Sequence, residues 1–237
     1  MAQPAIKPRS NEGSAVRAPL TRERVLRAAV ALADRDGIDG LSMRRLGQEL
    51  GVEAMSLYNH VANKEDILDG MVDVIVGEID PPVAGVDWRT TLRERVLSAR
   101  RVMLRHPWAS VAVVSRKAPT PTVIEYMDSI ARVLRTGGFS AELTHHAFHV
   151  LGSRILGFVQ ELYDDSEQLA GSPEVAAMME QLTDRYPYLA EMAMVATHDD
   201  QVVGTGCDDQ VEFEFGLDLL LDGLERLRVR EGATAAS

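Results

Sequence analysis

The sequence predicts an all-α protein, with a small three-helix unit at the N-terminus joined to a larger helical body. Three observations carry that expectation. Apolar residues recur at three- and four-residue intervals through most of the chain. Cap residues and glycines punctuate those runs where helices should start and stop. No stretch alternates apolar and polar residues as a half-buried strand would, and there is no internal repeat.

The N-terminal unit is the most clearly marked. Thr21 can cap a first helix whose inward side carries Val25, Leu26, Ala29, Leu32 and Ala33, with Gly37 ending it and Gly40 completing the turn. Ser42 caps a second helix with Met43, Leu46 and Leu50 along one side. Gly51 and Val52 reverse the chain into a third helix over 53–61, which turns Leu57 and Val61 inward and leaves its polar groups outside. Asn63, followed three residues later by Asp66, caps a fourth and longer helix carrying Ile67, Leu68, Met71, Val72, Ile75 and Ile79. Two short helices joined by a tight glycine-containing turn form a helix-turn-helix, the unit that lays its second helix in the major groove of DNA.

Beyond Pro81-Pro82, Asp87 caps a helix with Trp88, Leu92, Val96 and Met103 that stops at Pro107. Further amphipathic helices are expected over 123–135 and 142–163, and acidic, flexible stretches over 164–173 and 198–209. The last helix, over 211–228, is apolar on more than one face, so it either runs through a domain or buries one side against a partner. Residues 1–18 lack periodicity and are expected to be disordered.

Composition sets the frame. With 237 residues and 46% hydrophobic content, the chain can bury a sizeable core and hold two domains. Cys207 is the single cysteine, which leaves no internal disulfide and suits a reducing cytoplasm. No apolar run is long enough for a signal peptide or membrane span. The net charge of −11 is compatible with DNA contact because it is unevenly spread. Residues 1–63 hold nine Lys or Arg against seven Asp or Glu, and the remainder sixteen against twenty-nine. Phosphate contact needs only a local basic face, and an acidic body repels DNA from other approaches.

The stretch GIDGLSMRRLGQELGV, followed by SLYNHVANKEDIL at 56–68, resembles the DNA-binding domain of the TetR family of bacterial transcriptional regulators. The order of turn glycine, paired Arg, second glycine and Leu-Tyr-x-His-Val-x-x-Lys is much more selective than a bare glycine motif. DWRTTLRERVLSARRVMLRHP and FEFGLDLLLDGLERL resemble the tetracycline-repressor type of regulatory domain, chiefly through apolar spacing. The resemblance implies a disordered tail over 1–18, a helix-turn-helix DNA-binding domain over 19–66 and a helical ligand-binding and dimerisation domain over 67–237. It implies a cytoplasmic homodimeric repressor that binds a palindromic double-stranded DNA operator and is released by a small-molecule effector.

By that resemblance, Met43 and Arg44 open the second helix at the groove edge, where Arg44 suits a guanine edge or a phosphate. Ala54, Met55, Ser56 and Asn59 face bases or sugars, while Tyr58 and His60 donate to phosphates. Lys64 adds its charge to the free N–H groups that open the fourth helix. Arg45 is phosphate-directed or solvated. Ala54, Met55 and Asn59 stand where the tetracycline repressor has polar or bulky readers, so a different operator is expected. ASVAVVSR has no metal-binding His and Asp80 replaces a drug-contacting one, which argues against tetracycline with magnesium. An effector pocket is expected among Met103, Val113, Met127, Phe148, Ile155 and Phe158. A four-helix dimer interface is expected to use Ile155, Val159, Phe213, Gly216, Leu220, Gly223, Leu224 and Leu227.

One cluster supports a different class of function. His145 and His149 stand at i and i+4, with His146 and Glu142 adjacent, a spacing that can offer two imidazoles to one metal. The alternative is therefore a metal-responsive or small-molecule-binding helical protein with no operator. No third ligand is identifiable, so no metal or cofactor is expected. No nucleophile motif, phosphate loop or dinucleotide fingerprint points to an enzyme.

Overall fold

A computed structural model describes residues 19–83, 85–157, 185–188, 191 and 209–235. Among them there is no strand. In chain order the helices are α1 (Arg22–Asp36), α2 (Met43–Leu50), α3 (Ala54–Leu57), α4 (Lys64–Val76), α5 (Trp88–Arg105), α6 (Ala109–Ser115), α7 (Pro121–Thr136), α8 (Ala141–Gly157) and α9 (Asp209–Ala235), with a 3-10 turn at Ile38–Gly40. None is long and apolar enough to cross a membrane. The tail, Phe158, Val159, Cys207, the acidic stretch over 164–173 and all but the last residue of that over 198–209 lie outside the described residues.

The expected caps are in place. Thr21, Ser42, Asn63 and Asp87 each accept a hydrogen bond from the backbone N–H three residues on, at 2.9–3.3 Å. Three expectations are corrected. The α-helical part of the third helix spans Ala54–Leu57 rather than 53–61, because Glu53 supplies no side-chain cap and Tyr58–His60 continue as a turn. Helix α6 was not anticipated: its seven residues follow Pro107, and Trp108 caps nothing with its side chain. Helices α7 and α9 extend past their expected ends, with Thr120 capping α7 and Pro121 occupying its first turn.

Two apolar cores result. The first joins α1–α4 to the end of α5 and to α6 through Leu32, Leu46, Leu57, Ile67, Met71 and Ile75, all 0–1% exposed. Helix α4 is thus shared, packing on α1 along one side and on α6 and α7 along another. The second core joins α5, α7, α8 and α9 through Leu92, Leu134, Phe139, Phe213, Leu217 and Leu221. Tyr126 and Ile155 touch both. Ion pairs from Arg89 to Asp222 (2.6 Å) and from Arg93 to Glu214 and Asp218 (2.6 and 2.9 Å) tie α5 to α9.

Polar contacts pin the N-terminal unit to the body. Asp34 on α1 accepts from Trp108 Nε1 (2.6 Å) and pairs with His106 Nδ1 (2.7 Å), while His106 Nε2 faces Glu78 (3.3 Å). His106 is 4% exposed. After α6, Arg116 reaches back to Glu65 (2.8 Å) and Asp69 (3.2 Å) on α4.

Candidate nucleic-acid interface

The α2–turn–α3 unit owes its shape to two glycines. Gly51 ends α2 in the left-handed conformation (φ 67°), which costs any other residue. Gly47 lies buried where α2 meets the start of α3. A Cβ there would stand 2.9 Å from the Val52 carbonyl oxygen and 3.2 Å from Ala54 Cα. The Val52 N–H also bonds the Gly47 carbonyl (2.9 Å), closing the turn. Leu57 is fully buried beneath α3 and Val61 nearly so, which fixes which side of this short helix faces outward.

That outward side carries the predicted contact residues. Met55 is 75% and Tyr58 46% exposed, and Arg44, Asn59 and Lys64 are exposed too. Met43, Ala54, Ser56 and His60 are half-buried. The Met55 thioether and the Tyr58 phenol thus contribute little to packing within the protomer. Among the described residues, Arg44 and Lys64 have no ion-pair partner, leaving both charges available to phosphate or base. Arg45 is committed elsewhere: it pairs with Asp36 and donates to the Gly40 carbonyl (3.0 Å).

A clamp that sequence spacing does not reveal holds the turn between α3 and α4. Arg22, at the start of α1, donates to both carboxylate oxygens of Asp66 (2.9 and 2.6 Å) and to the His60 carbonyl (3.2 Å). Asp66 also accepts from the Ala62 N–H (2.7 Å). The Arg22 hydrogen bond, helped by the Ala62 N–H, holds the Asp66 carboxyl below the ordinary carboxylate range against the opposing effect of burial. Asp66 was readable as part of a cap, but its partner lies 44 residues away.

The remaining predicted residues are not brought to one place. Met103 and Val113 pack in the first core, Phe148 in the second, and Ile155 between them. Met127 is 43% exposed, because α7 buries the stripe through Ile130 and Leu134 instead. On α9, Phe213 and Leu224 turn into the protomer's own core, Leu220 is half-buried, and Gly216 lies under the Arg154 guanidinium. Gly223 has open space beside it. The outward apolar residues are Val211, Phe215, Leu219, Leu227 and Val229, all 44–62% exposed, with Val150 of α8 at 41%. The rings of His145 and His149 meet edge-on at 4.6 Å and His146 stands 4.0 Å from Glu142. No group of three or more His, Cys, Asp or Glu among the described residues could hold a metal ion.

Known proteins share this arrangement. Residues 25–71 match the model of the bacterial regulatory proteins of the tetR family, and 81–228 match the tetracyclin repressor-like C-terminal domain. The chain is 33% identical over 212 residues to the tetracycline repressor protein class D of Escherichia coli, covering 88% of this chain and 90% of that one. It is 31% identical over 220 residues to the transcriptional repressor DrrR1 of Streptomyces coeruleorubidus, covering 88% and 78%. The crystal structure of the TetR family protein ActR of Streptomyces coelicolor with actinorhodin superposes with a TM-score of 0.66 at 28% identity, covering 89% and 99%. The chain belongs to the tetR family of bacterial regulatory proteins and is a ligand-responsive, DNA-binding transcriptional repressor with a tetracyclin repressor-like C-terminal domain.

Proposed function

We propose that the protein works in the cytoplasm as a homodimer whose two heads, residues 19–66, read a palindromic operator in successive major grooves about 34 Å apart. The observation that carries the reading is the exposed face of α3 and its flanks: Met55, Tyr58 and Asn59 stand outward over a fully buried Leu57, flanked by Arg44 and Lys64, which have no ion-pair partner among the described residues. Ala54, Met55, Ser56 and Asn59 supply base and sugar contacts, with Met43 and Arg44 at the groove edge, where Arg44 meets a guanine edge or a phosphate. Tyr58, His60 and Lys64 hold phosphates, with the Arg22–Asp66 clamp positioning the turn that carries them.

Residues 67–237 form the regulatory and dimerisation part. The apolar faces of α8 and α9, with Val150, Phe215, Leu219, Gly223 and Leu227 outward, are suited to a second copy packing as a four-helix interface. The two-fold pairing of heads supplies the affinity that one short helix lacks. A small-molecule effector acts on the regulatory helices, and α4 transmits its effect as a lever, since Arg116 joins α6 to Glu65 and Asp69. Asp34 joins the α5–α6 corner to α1 in the same way. Effector and operator then disfavour each other by a coupling of about 1–3 kcal/mol. No catalytic step is assigned.

Selection of bound fragments from random duplex DNA tests this reading. A two-fold symmetric consensus whose affinity falls steeply with salt is the expected result. Folded, dimeric protein that enriches no sequence would overturn it.

A further inference from the structure

The regulatory body buries a cation that, among the described residues, no carboxylate bonds directly; the charge of Asp80 acts on it only at a distance. Arg95, in the middle of α5, is 5% exposed. Its Nη1 donates to the Asp80 backbone carbonyl (2.7 Å), its Nη2 donates to Ser129 Oγ (2.8 Å), and its guanidinium lies 4.8 Å over the Tyr126 ring. The Nε is buried and has no hydrogen-bond partner. Among the described residues no carboxylate bonds this side chain: Asp80 turns its own to Ser98 and Arg101. Desolvation accordingly pulls the Arg95 pKa below that of an ordinary guanidinium. Arg116 and Arg93 in the same body each meet two carboxylates instead, whereas Arg154 and Arg135 also donate to backbone carbonyls. A purely structural link between the end of α4 and α7 needs only a neutral donor, which avoids the desolvation of a charge.

Ser129 connects this cation to open space. It forms part of the wall of a groove of about 720 Å³ between the α4–α5 loop, the start of α5 and the end of α7. The other walls are mostly apolar, from Pro82, Val86, Trp88 and Val133, with Thr91 one turn before Arg95; the two charged side chains of the lining are engaged locally, Asp87 as the cap of α5 and Arg132 with Asp128 (2.7 Å). Val83 and Val86 at its mouth are 66% and 39% exposed.

We propose that this groove is the effector site and Arg95 its anion anchor, so that the effector is a small amphipathic anion. Its apolar or aromatic body lies along Trp88 and Val133, and its carboxylate or equivalent oxyanion accepts from the Arg95 guanidinium in place of Ser129 Oγ, whose own proton goes to the Tyr126 carbonyl (2.6 Å). A guanidinium already stripped of water favours such an oxyanion over a neutral isostere. The same guanidinium holds the Asp80 carbonyl just beyond α4, so an anion that draws it toward the groove alters the tether on the helix that carries the head. The inference rests on the reading of the chain as a ligand-responsive repressor.

Two fluorescent probes of nearly the same shape separate charge from apolar contact: anilinonaphthalene sulfonate, an anion, and phenylnaphthylamine, its neutral counterpart. Both are titrated into the full-length wild type and Arg95→Met. The expected result is sulfonate binding weakened about 10- to 100-fold in the variant, with the neutral probe within about twofold of wild type. Wild type that binds neither probe, equal loss of both, or no loss of either overturns the assignment. Should Arg95→Met fail to fold, Arg95→Lys decides, because it keeps the charge but loses the planar fork. It is expected to weaken the sulfonate severalfold and spare the neutral probe, and unchanged sulfonate affinity refutes the anchor. Operator binding by the same samples, measured in parallel, reports separately on the repressor reading.

Discussion

Gly47→Ala is the smallest change that should disable the reading head. The added Cβ would stand 2.9 Å from the Val52 carbonyl oxygen and 3.2 Å from Ala54 N and Cα, all backbone atoms. Ordinary contact begins at 3.4 Å, so the turn must retreat by about 0.5 Å. Retreat also strains the bond from Val52 N to the Gly47 carbonyl. Overpacking of this kind costs ~1–3 kcal/mol. Replacing a helical glycine with alanine returns up to ~1 kcal/mol. The head should therefore lose ~0–2 kcal/mol of stability. Operator affinity should suffer more, because α3 is displaced as a unit and each good base contact is worth ~1–3 kcal/mol. A loss of roughly tenfold or more is expected. Gly232→Ala, on α9 with nothing within 4 Å of its added Cβ, is the control and should leave both properties unchanged or slightly improve stability. Thermal unfolding and operator titration measure the two variants side by side. Gly47→Ala protein that melts no lower than wild type and binds the operator within twofold would refute the close-approach argument.

Three further outcomes follow from the same geometry. Asp66→Asn keeps an acceptor for the Ala62 N–H but loses the ion pair with Arg22, a partly exposed contact worth ~1 kcal/mol. Because the folded-state pKa of Asp66 is depressed, that stability is present above its unfolded value near about 3.9 and is lost as pH falls through the folded value. The stability gap between variant and wild type should thus close on acidification in pH-resolved unfolding, and a gap independent of pH would count against the clamp. Leu219→Glu places a charge on the outward face of α9 and should weaken dimerisation by ~2 kcal/mol or more in sedimentation equilibrium; an unchanged dimer would move the interface elsewhere. Arg44→Ala should reduce the slope of log affinity against log salt by about 1 if this side chain holds a phosphate. It should instead relax preference at one base position if it reads guanine, and loss of neither removes Arg44 from the interface.

Local chemistry explains which parts were legible in the sequence. Thr21, Ser42, Asn63 and Asp87 act within three residues of themselves, so their capping roles follow from spacing alone. The two turn glycines that end helices were readable for the same reason. Helix α6 was not, since its start lacks a side-chain cap and its apolar run sits between prolines. The faces of α9 were also obscured, because an inward stripe of Phe213, Leu217, Leu221 and Leu224 runs beside an outward one of Phe215 and Leu219. Only contact with α5 and α8 separates the two. The Arg22–Asp66 clamp, the Asp34–His106–Trp108 corner and the Arg95–Ser129 contact are long-range relations, and no local pattern encodes them.

The central claim, that α3 lies in the groove with the α3–α4 turn on the backbone, is tested most directly by four alanine variants measured on the selected operator and on unrelated duplex DNA. Tyr58→Ala and Lys64→Ala should weaken binding to both DNAs in similar proportion, as phosphate contacts do. Ser56→Ala and Asn59→Ala should spare unrelated DNA and change the preferred sequence. Wild-type affinity and preference in all four variants would contradict the assignment of this helix to the groove.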